Sequence, residues 1–529
     1  MKNLKPIAII LVLLLTLSAC GTSVDDSSEP ADSILTDAVK LELSDEKITV
    51  DGEAVTTDNT NSVYIANDII YYEDGKDFTY GEGGEKDAHT KEEAETHTVV
   101  HITKAGKYAL SGKLSKGQIA VDLGEDAKEN NEAVVTLVLN GVEITCEVAP
   151  AVIFYNVYEC GKNDTEAATK DVDTKNAGAN VIIADGTSNT VNGSYVEKIY
   201  KPDTIQLNDD KTEVEDAKKL HKYDGAFYSK MSMNVSGGTE NTGVLTINAE
   251  NEGLDSELHL TINGGIININ SGNDGINTNE DGVSVTTVNG GELHINVTGT
   301  TGEGDGIDSN GWLVINGGSV RASACAISGD AGIDSDMGIH INGGTVLATG
   351  NMLDRIEDGG QNNAVFTFTE KQDGGNGIQL KNSENKTIME AIQENAFTIL
   401  IFSSPELTEG EYTLWRGDEQ LKGVSGGMNM QGGMKPDGEM PEGAEPPEGF
   451  EFPEKPDGVP PMENGERPQM NGQQPPEGAE QPENFEHPEG NEPLQMSDAS
   501  NRGEFPQINT GKEFTEFKIQ NGGNMFQVL

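Results

Sequence analysis

Acidic and amide side chains recur in four short glycine-containing loops in the middle of the chain. Carboxylate, amide and backbone carbonyl oxygens are the ligands that Ca²⁺ prefers, and a glycine in each loop lets the backbone turn its carbonyls toward a cation. The loops are Glu252-Gly253-Leu254-Asp255-Ser256, Asp274-Gly275-Ile276-Asn277-Thr278, Asp305-Gly306-Ile307-Asp308-Ser309 and Ala331-Gly332-Ile333-Asp334-Ser335. The pattern predicts a calcium site whose candidate ligands are Asp255, Asp274, Asn277, Asp305, Asp308, Asp330, Asp334 and Asp336.

The same acids have a simpler interpretation as a solvated edge that keeps the protein soluble. Carboxylates that lie about 5 Å apart on stacked segments repel each other strongly unless something neutralises them. A calcium ion would neutralise them. A partly open ion could also bridge to a uronate carboxylate, so calcium would suit an acidic polymer as a partner.

The acid-rich region offers little for catalysis. Residues 237–353 contain 15 acidic residues and one base, Arg321. A lyase of the pectate type generally uses a Lys or Arg base, but a lone arginine on a strand is more often solvated or ion-paired. His259, His294 and His340 stand at inconsistent offsets from the repeated asparagines, and we interpret them as surface residues. The sequence therefore predicts no catalytic residues.

An Asn-Gly-Gly corner repeats through the same region. Its asparagines are 26, 27 and 26 residues apart: Asn263, Asn289, Asn316 and Asn342. Stacked asparagines can form an internal ladder of amide hydrogen bonds, and glycine supplies the positive φ that a tight corner needs. We expect these asparagines to be structural rather than ligand-binding.

Between the corners, apolar and polar residues alternate. Leu258, Leu260 and Ile262 share one face, while His259 and Thr261 share the other. A period of two indicates half-buried strands. Short strands, a fixed corner and a period of about 26 residues predict an all-β fold, a parallel β-helix in which each turn buries its apolar face only against its neighbours.

The N-terminus has the features of an export signal. A basic start, Met1–Lys5, precedes an apolar stretch, Ile7–Leu17, which is too short to span a membrane. Leu17-Ser18-Ala19-Cys20 resembles a bacterial lipobox, in which the cysteine is lipidated after cleavage. We therefore predict that 1–20 is a signal peptide and that lipid on Cys20 anchors an exported protein to the extracellular face of the cell membrane. An ordinary signal peptide is the alternative.

Changes in composition mark the remaining boundaries. Residues 428–497 hold 14 of the 20 prolines, and 16 acidic residues against three bases. Such a segment cannot bury enough apolar surface to fold, which predicts disorder. The predicted organisation is a tether and lead-in at 21–94, the β-helix at 95–425, a disordered acidic linker rich in Pro, Glu, Gly and Met at 426–505, and a C-terminal strand at 506–529 that completes the domain.

The charge balance excludes one class of partner. The chain has 90 acidic and 35 basic residues, which gives a formal net charge of −55. Nucleic acids and anionic lipid headgroups are bound through Lys and Arg. We therefore expect no nucleic-acid partner and no membrane contact other than the lipid anchor, while divalent cations and neutral polymers remain as partners.

Several runs resemble a family of bacterial carbohydrate-binding β-helix proteins first described from cellulose-degrading clostridia. The resemblance covers roughly residues 98–425, and Asn277 stands where family loops have lysine. It implies a right-handed parallel β-helix of the pectate-lyase type that binds calcium and associates with cellulose or acidic sugars. The runs that carry it are Ile102-Thr103-Lys104-Ala105-Gly106-Lys107-Tyr108-Ala109-Leu110-Ser111-Gly112, Gly304-Asp305-Gly306-Ile307-Asp308-Ser309-Asn310-Gly311, Ala331-Gly332-Ile333-Asp334, Ser403-Ser404-Pro405-Glu406-Leu407 and Gly410-Glu411-Tyr412-Thr413-Leu414.

Residues and resemblance together predict a non-catalytic, calcium-stabilised surface lipoprotein. Its expected ligand is a cellulose-like or an acidic, polygalacturonate-type polysaccharide. A β-helix polysaccharide lyase that uses Arg321 is the first alternative. The second is a structural protein of the cell wall or spore surface whose affinity for sugar is incidental.

Overall fold

The computed structural model describes residues 34–424 and 512–529, and these are built almost wholly from β-strands. The all-β prediction is confirmed. Helix in this part of the chain is limited to α1 (Lys91–Glu95) and two short 3-10 segments, Glu125–Glu129 and Pro202–Thr204. Thr90 begins α1 with a capping box, because its side chain accepts the N–H of Glu93 while the Glu93 side chain accepts the N–H of Thr90.

Thirteen strands precede the repeats. They are β1 (Val39–Leu43), β2 (Thr49–Val50), β3 (Glu53–Ala54), β4 (Val63–Ala66), β5 (Thr98–Ile102), β6 (Gly106–Leu114), β7 (Gly117–Asp122), β8 (Val135–Cys146), β9 (Val152–Asn156), β10 (Ala179–Ile183), β11 (Ser188–Gly193), β12 (Gln206–Leu207) and β13 (Val214–Asp216). β1 pairs with β6 in parallel and β4 pairs with β5 antiparallel. The strand-rich part therefore starts at Val39, and the boundary predicted at residue 95 separates strands that pair with each other.

The repeats supply three rows of parallel strands. In the first row, β15 (Met233–Gly237), β18 (His259–Ile262), β21 (Val285–Val288), β24 (Trp312–Ile315) and β26 (Gly338–Ile341) pair in succession. The second row is β16 (Val244–Ala249), β19 (Ile266–Ser271), β22 (Glu292–Val297), β25 (Ser319–Ser323) and β27 (Thr345–Gly350). The third is β14 (Gly225–Ser229), β17 (Glu252–Ser256), β20 (Ile276–Thr278) and β23 (Ile307–Ser309). Each strand thus pairs with its counterpart in the next repeat.

The core lies along these rows, where apolar residues at equivalent positions of successive repeats stack on one another. In the second row Ile267 pairs with Leu293, Leu293 with Val320, and Val320 with Val346. All four side chains are buried, and burying one such side chain contributes about 1.5–3 kcal/mol. One repeat has nothing of its own to cover this face, so neighbouring repeats stabilise each other.

The two glycines of each Asn-Gly-Gly corner have different roles. The second has positive φ, for example 78° at Gly318, where a side chain would strain the backbone. The first allows close stacking, because a Cβ at Gly317 would lie 2.5 Å from the carbonyl oxygen of Asn289. Only one of the pair therefore supplies the positive φ expected from the sequence, and the other makes room for the repeat before it.

The outward face of the first row is partly covered by the segment that follows β9. His259 is only 3% exposed, and a Cβ at Gly161 would lie 2.8 Å from its ring. Thr174 Oγ1 lies 2.7 Å from Thr261 Oγ1, and Thr261 is buried as well. The prediction that His259 is a surface residue is therefore wrong, whereas His294 and His340 are partly exposed.

Ten strands follow the repeats. They are β28 (Asn363–Gln372), β29 (Ile378–Asn382), β30 (Thr387–Ala391), β31 (Phe397–Ser403), β32 (Gly410–Arg416), β33 (Glu419–Gln420), β34 (Gly423–Val424), β35 (Glu513–Phe514), β36 (Phe517–Ile519) and β37 (Gly523–Val528). β31 pairs antiparallel with β27 and with β28, so the second parallel row ends there. β36 pairs with β32, and β37 pairs with β28 and β34. The C-terminal residues thus add strands to sheets formed before residue 425.

Two of the predicted segments lie outside the described residues. These are the signal peptide 1–20, with Cys20, and the linker 426–505. Within 34–424 and 512–529, no helix is both long enough and apolar enough to cross a bilayer.

Candidate functional site

The third row aligns acidic and amide side chains in one column. Asp255 pairs in register with Asn277, and Asn277 with Asp308. Paired strands lie about 4.8 Å apart, so these side chains are neighbours on successive repeats. Asp334 continues the stack, because the N–H of Asp334 donates to the carbonyl of Ile307 at 2.7 Å. Asp255, Asn277 and Asp308 stack as predicted, but they lie on strands β17, β20 and β23 rather than in corner loops.

Three carboxylates of this region converge. Oxygens of Asp305, Asp308 and Asp334 lie within 4.8 Å of one another. Asp334 is buried, and the other two are partly buried. Three acidic oxygens at this spacing can share one divalent cation, which makes this cluster the centre of the candidate site.

A second column of acids secures the stack through backbone N–H groups. Asp274 Oδ1 accepts the N–H of Asp305 at 2.7 Å, and Asp305 Oδ1 accepts the N–H of Ala331 at 2.5 Å. Asp330 Oδ2 accepts the N–H of Gly304 at 2.6 Å. One oxygen of each carboxylate is thus used to tie adjacent repeats. Asp330 and the exposed Asp336 are not part of the three-carboxylate cluster.

Glu252 belongs to the same acidic array, although sequence analysis did not include it among the ligands. It occupies the loop position held by Asp274 and Asp305, which was the signal available. Its Oε1 accepts the side-chain N–H of Asn277 at 3.0 Å. Three oxygens in this array are buried without a hydrogen-bond partner: Glu252 Oε2, Asp255 Oδ2 and Asn277 Oδ1.

Burial and crowding favour the protonated form of these acids. The pKa of Glu252 is raised to about 8, mainly by burial and then by the charge of Asp224. The pKa of Asp305 is raised to about 10, mainly by burial and then by the charges of Asp274 and Asp334. Buried like charges therefore destabilise the array at neutral pH unless a proton or a cation neutralises them.

The donor set fits a hard cation. It consists of carboxylate and amide oxygens, which suit Ca²⁺ far better than a soft metal. The unpartnered oxygens of Glu252, Asp255 and Asn277 are polar groups whose burial is costly without a partner. Their position beside the cluster Asp305, Asp308 and Asp334 makes the whole array suitable for cation binding.

The asparagine ladder is present on the first row. Asn289 Nδ2 donates to Asn263 Oδ1 at 2.9 Å, Asn316 Nδ2 to Asn289 Oδ1 at 2.9 Å, and Asn342 Nδ2 to Asn316 Oδ1 at 2.8 Å. All four asparagines are exposed. The expectation of an internal ladder is therefore wrong. Asn263 follows the outward-facing Thr261 by two residues, and side chains two positions apart on an extended segment point to the same face.

A groove of about 420 Å³ runs beside this ladder. Its floor is formed by the four ladder asparagines together with Asn234, Thr261, Thr287 and Val314, and its wall by residues 170–175. The four asparagines predicted to be structural thus also line this groove.

A second amide ladder runs from β11 into the second row and was missed by sequence analysis. Asn248 Nδ2 donates to Asn192 Oδ1 at 2.8 Å, and Asn270 Nδ2 to Asn248 Oδ1 at 2.9 Å. These asparagines lie within strands rather than at glycine corners, so no repeated motif marks them. They line a separate groove of about 360 Å³ that also contains Glu147 and Glu250.

The candidate base of a lyase lies apart from the acids. Arg321 is exposed in the second row, where it pairs between His294 and Leu347. Asp308 belongs to the third row, which is a separate sheet. The strongest charge effects on Asp305 come from other carboxylates. The arrangement brings acids together and does not bring Arg321 to them.

The family of the chain follows from comparison with known proteins. A family model described as carbohydrate-binding domain-containing protein matches residues 96–177 and 162–391. Together these span more than half of the 529 residues. The chain belongs to this family. The matched region of this carbohydrate-binding domain-containing protein includes the acidic array, the asparagine ladder and the groove.

No curated protein matches the chain. A solved structure described as the polysaccharide lyase-like protein from C. thermocellum, in a gadolinium derivative, matches with 19% sequence identity and a TM-score of 0.33. The match covers 58% of this chain and 89% of that one.

Proposed function

We propose that this carbohydrate-binding domain-containing protein is a non-catalytic surface lipoprotein, stabilised by calcium, that recognises a cellulose-like or acidic polysaccharide. We further propose that its repeats form the turns of a right-handed parallel β-helix. Three rows of strands, each paired in parallel with the next repeat, support that architecture. Four successive repeats of about 26 residues each contribute one strand to each row, and the next repeat adds β26 to the first row and β27 to the second.

The observation that carries the calcium proposal is the convergence of three carboxylates within 4.8 Å. Asp305, Asp308 and Asp334 would hold the ion, and the unpartnered oxygens of Asp255 and Asn277 would extend the same array. Bound calcium would neutralise the column and could bridge to the carboxylate of an acidic sugar. The residues themselves supply the oxygen donors and hold adjacent repeats in register.

A binding rather than a catalytic role is favoured by the position of Arg321. It is exposed on the second row, whereas the acids gather on the third. A lyase that used Arg321 as its base and a calcium ion held by the acids of the third row would need both groups at the same sugar residue. Release of unsaturated products from polygalacturonate by the wild type, and its loss in Arg321→Ala, would instead support the lyase.

Thermal unfolding in EDTA and in millimolar calcium tests the ion. One bound ion stabilises the folded protein by about 3 kcal/mol at 100-fold excess over its dissociation constant. Asp308→Asn should reduce this gain, because it removes one of the converging carboxylates. Unchanged unfolding of the stripped protein on adding calcium would contradict the calcium proposal and would leave protonation as the way in which the buried acids are neutralised.

Glycan binding and membrane attachment are tested separately. A glycan array with the purified protein should give binding to plant or bacterial wall polysaccharides, and silence across the array would favour a structural role. Cys20→Ala should release the protein from the membrane fraction or leave its signal unprocessed, since the lipobox-like sequence depends on that thiol. Normal processing with unchanged membrane retention would contradict lipidation at Cys20.

A further inference from the structure

The exposed asparagine ladder has hydrogen-bonding capacity that it does not use on itself. A side-chain amide has two N–H donors and an oxygen with two lone pairs. Asn289 and Asn316 each spend one donor and one lone pair within the ladder. Since both are exposed, each presents a further donor and a further acceptor to a ligand in the groove.

This capacity repeats at a regular interval. Paired strands are about 4.8 Å apart, and one ladder amide follows another on each repeat from Asn263 to Asn342. A linear polysaccharide presents equivalent hydroxyl groups at regular steps along its length. A repeating surface therefore suits a repeating ligand that lies along the ladder.

A second column of residues lies in the floor of the groove beside the ladder. Thr261 pairs in register with Thr287, and Thr287 with Val314. These residues precede the ladder asparagines by two positions and therefore share their face. Thr261 and Val314 are buried, whereas Thr287 is partly exposed. The hydroxyl of Thr287 is therefore the group of this column that a sugar in the groove could reach.

The wall of the groove is held against the floor. Thr174 Oγ1 lies 2.8 Å from Asn234 Oδ1 and 2.7 Å from Thr261 Oγ1, and Asn234 Nδ2 donates to the Thr174 carbonyl at 2.7 Å. The same segment, residues 170–175, also lines the groove together with Asn316 and Asn342. The segment thus extends along several repeats rather than over one.

The charges of the wall are balanced. Lys170 Nζ lies 2.7 Å from Asp171 Oδ1, and Lys175 Nζ lies 2.8 Å from Asp173 Oδ2. The groove therefore has no surplus positive charge for a polyanion, and the whole chain has a net charge of −55. A polyuronate would be repelled, whereas an uncharged glycan would not.

We infer that the groove between the asparagine ladder and residues 170–175 is the glycan-binding face, and that its ligand is a neutral, linear, hydroxyl-rich polysaccharide. This inference rests on the proposed carbohydrate-binding function and names its site and ligand class. It assigns the ladder asparagines a binding role in addition to their structural one. The acidic array on the third row takes no part in this contact.

Affinity electrophoresis of the full chain through gels that contain hydroxyethyl cellulose, or polygalacturonate, tests the inference. Asn289→Ala removes a groove amide and two ladder hydrogen bonds. Its matched control is Asn270→Ala, which removes a ladder amide on the second row. The wild type should be retarded by the neutral glucan, Asn289→Ala should bind about three- to tenfold more weakly through lost hydrogen bonds, and Asn270→Ala should bind within twofold of the wild type.

Thr287→Val keeps the inference testable if Asn289→Ala does not fold. It removes a floor hydroxyl with little change in shape, and it should also weaken binding to the glucan several-fold. Full binding by folded Asn289→Ala and Thr287→Val, or a loss confined to Asn270→Ala, would overturn the assignment of this groove. Binding to polygalacturonate alone would overturn the ligand class. Silence of the wild type across a whole glycan array would instead refute the proposed function itself.

Discussion

The side chain of Asn277 donates an N–H to Glu252 Oε1 at 3.0 Å, so an amide of one repeat is tied to a carboxylate of the repeat before it. In the same column, Asn277 pairs between Asp255 and Asp308. The column therefore has an uncharged amide between two acids, Asp255 and Asp308, and not a third acid. An amide at this position supplies an oxygen for a cation without adding to the repulsion.

The first prediction follows from this relationship. Asn277→Asp places a third carboxyl group in the column and removes the donor to Glu252, so the metal-free protein should lose about 2–4 kcal/mol of stability. Calcium should restore most of this loss. Denaturant unfolding in EDTA and in calcium measures both effects.

The control for that experiment is Asn263→Asp. Asn263 is exposed and acts in the ladder as an acceptor for Asn289, a role that a carboxylate can keep. It adds the same carboxyl group at an exposed position and should change stability little, with no dependence on calcium. Equal effects of the two variants would argue against a special electrostatic role of the column.

The second prediction concerns the corner glycines. A Cβ at Gly318, where φ is 78°, would lie 2.7 Å from the carbonyl oxygen of Gly291. Gly318→Ala should therefore cost about 2–4 kcal/mol, through strain at positive φ and contact with the previous corner. Gly282→Ala provides the control, since φ is 67° there but nothing lies within 4 Å of the added Cβ. It should cost only about 1 kcal/mol, as measured by urea unfolding.

The third prediction is a pH dependence from His221. This imidazole is buried, stacks on Tyr223 with ring centroids 4.5 Å apart, and has no hydrogen-bond partner for either nitrogen. Burial lowers the pKa of His221 to about 4. The unfolded chain binds the proton near pH 6.5, so this side chain favours folding above that pH. The advantage is lost as pH falls from about 6.5 toward 4.

His221→Phe keeps an aromatic ring beside Tyr223 and removes the titration. Between pH 7 and pH 4 the wild type should lose about 3 kcal/mol more than this variant, in unfolding free energies compared at each pH. Parallel pH profiles for the two proteins would show that His221 is not buried in its neutral form. Burial also lowers the pKa of His259 to about 4. His259 is present in both proteins, so its contribution to the pH dependence cancels in the comparison.

The fourth prediction concerns the acidic linker. Val424 pairs with Glu513, and Gly423 with Phe514, so the residues that flank the linker are adjacent in one sheet. Deleting 428–497 should therefore leave the β-sheet signal of the protein nearly unchanged, as measured by circular dichroism. A large loss of that signal would show that the deleted residues contribute to the folded structure.

Much of the repeat region could be predicted from sequence because its order is local. The Asn-Gly-Gly spacing identified the residues of the ladder, and the acidic loops identified Asp255, Asn277 and Asp308 as neighbours. In both cases one period of the repeat equals one step between paired strands. The register, in which equivalent residues of successive repeats pair with one another, could therefore be inferred from the spacing alone.

The rest depends on contacts between distant segments. Thr174 covers Thr261 across 87 residues, and nothing in the local pattern near Thr261 indicates that cover. The exposed position of the ladder, in contrast, could have been predicted, because the alternation that places Thr261 on the outer face places Asn263 there too. Glu252 was not predicted as a ligand because it has a longer side chain than Asp274 and Asp305, which occupy the equivalent position in the next repeats.

The final prediction uses Trp312, a natural reporter beside the groove. Trp312 is partly exposed and lies two residues before Val314 on the same strand, so the two share a face. The chain has two tryptophans, and the other, Trp415, lies on β32 in a different sheet. Trp415→Phe thus leaves one tryptophan that can report on the groove.

A neutral glucan bound along the asparagine ladder should shield the Trp312 indole from water. Titration of Trp415→Phe with hydroxyethyl cellulose should shift its emission to shorter wavelength and reduce quenching by acrylamide. Polygalacturonate at the same ionic strength should do neither, because the groove has no surplus positive charge: Lys170 and Lys175 are both ion-paired. Glucan that binds with no change in emission or quenching would place the ligand on another face of the protein.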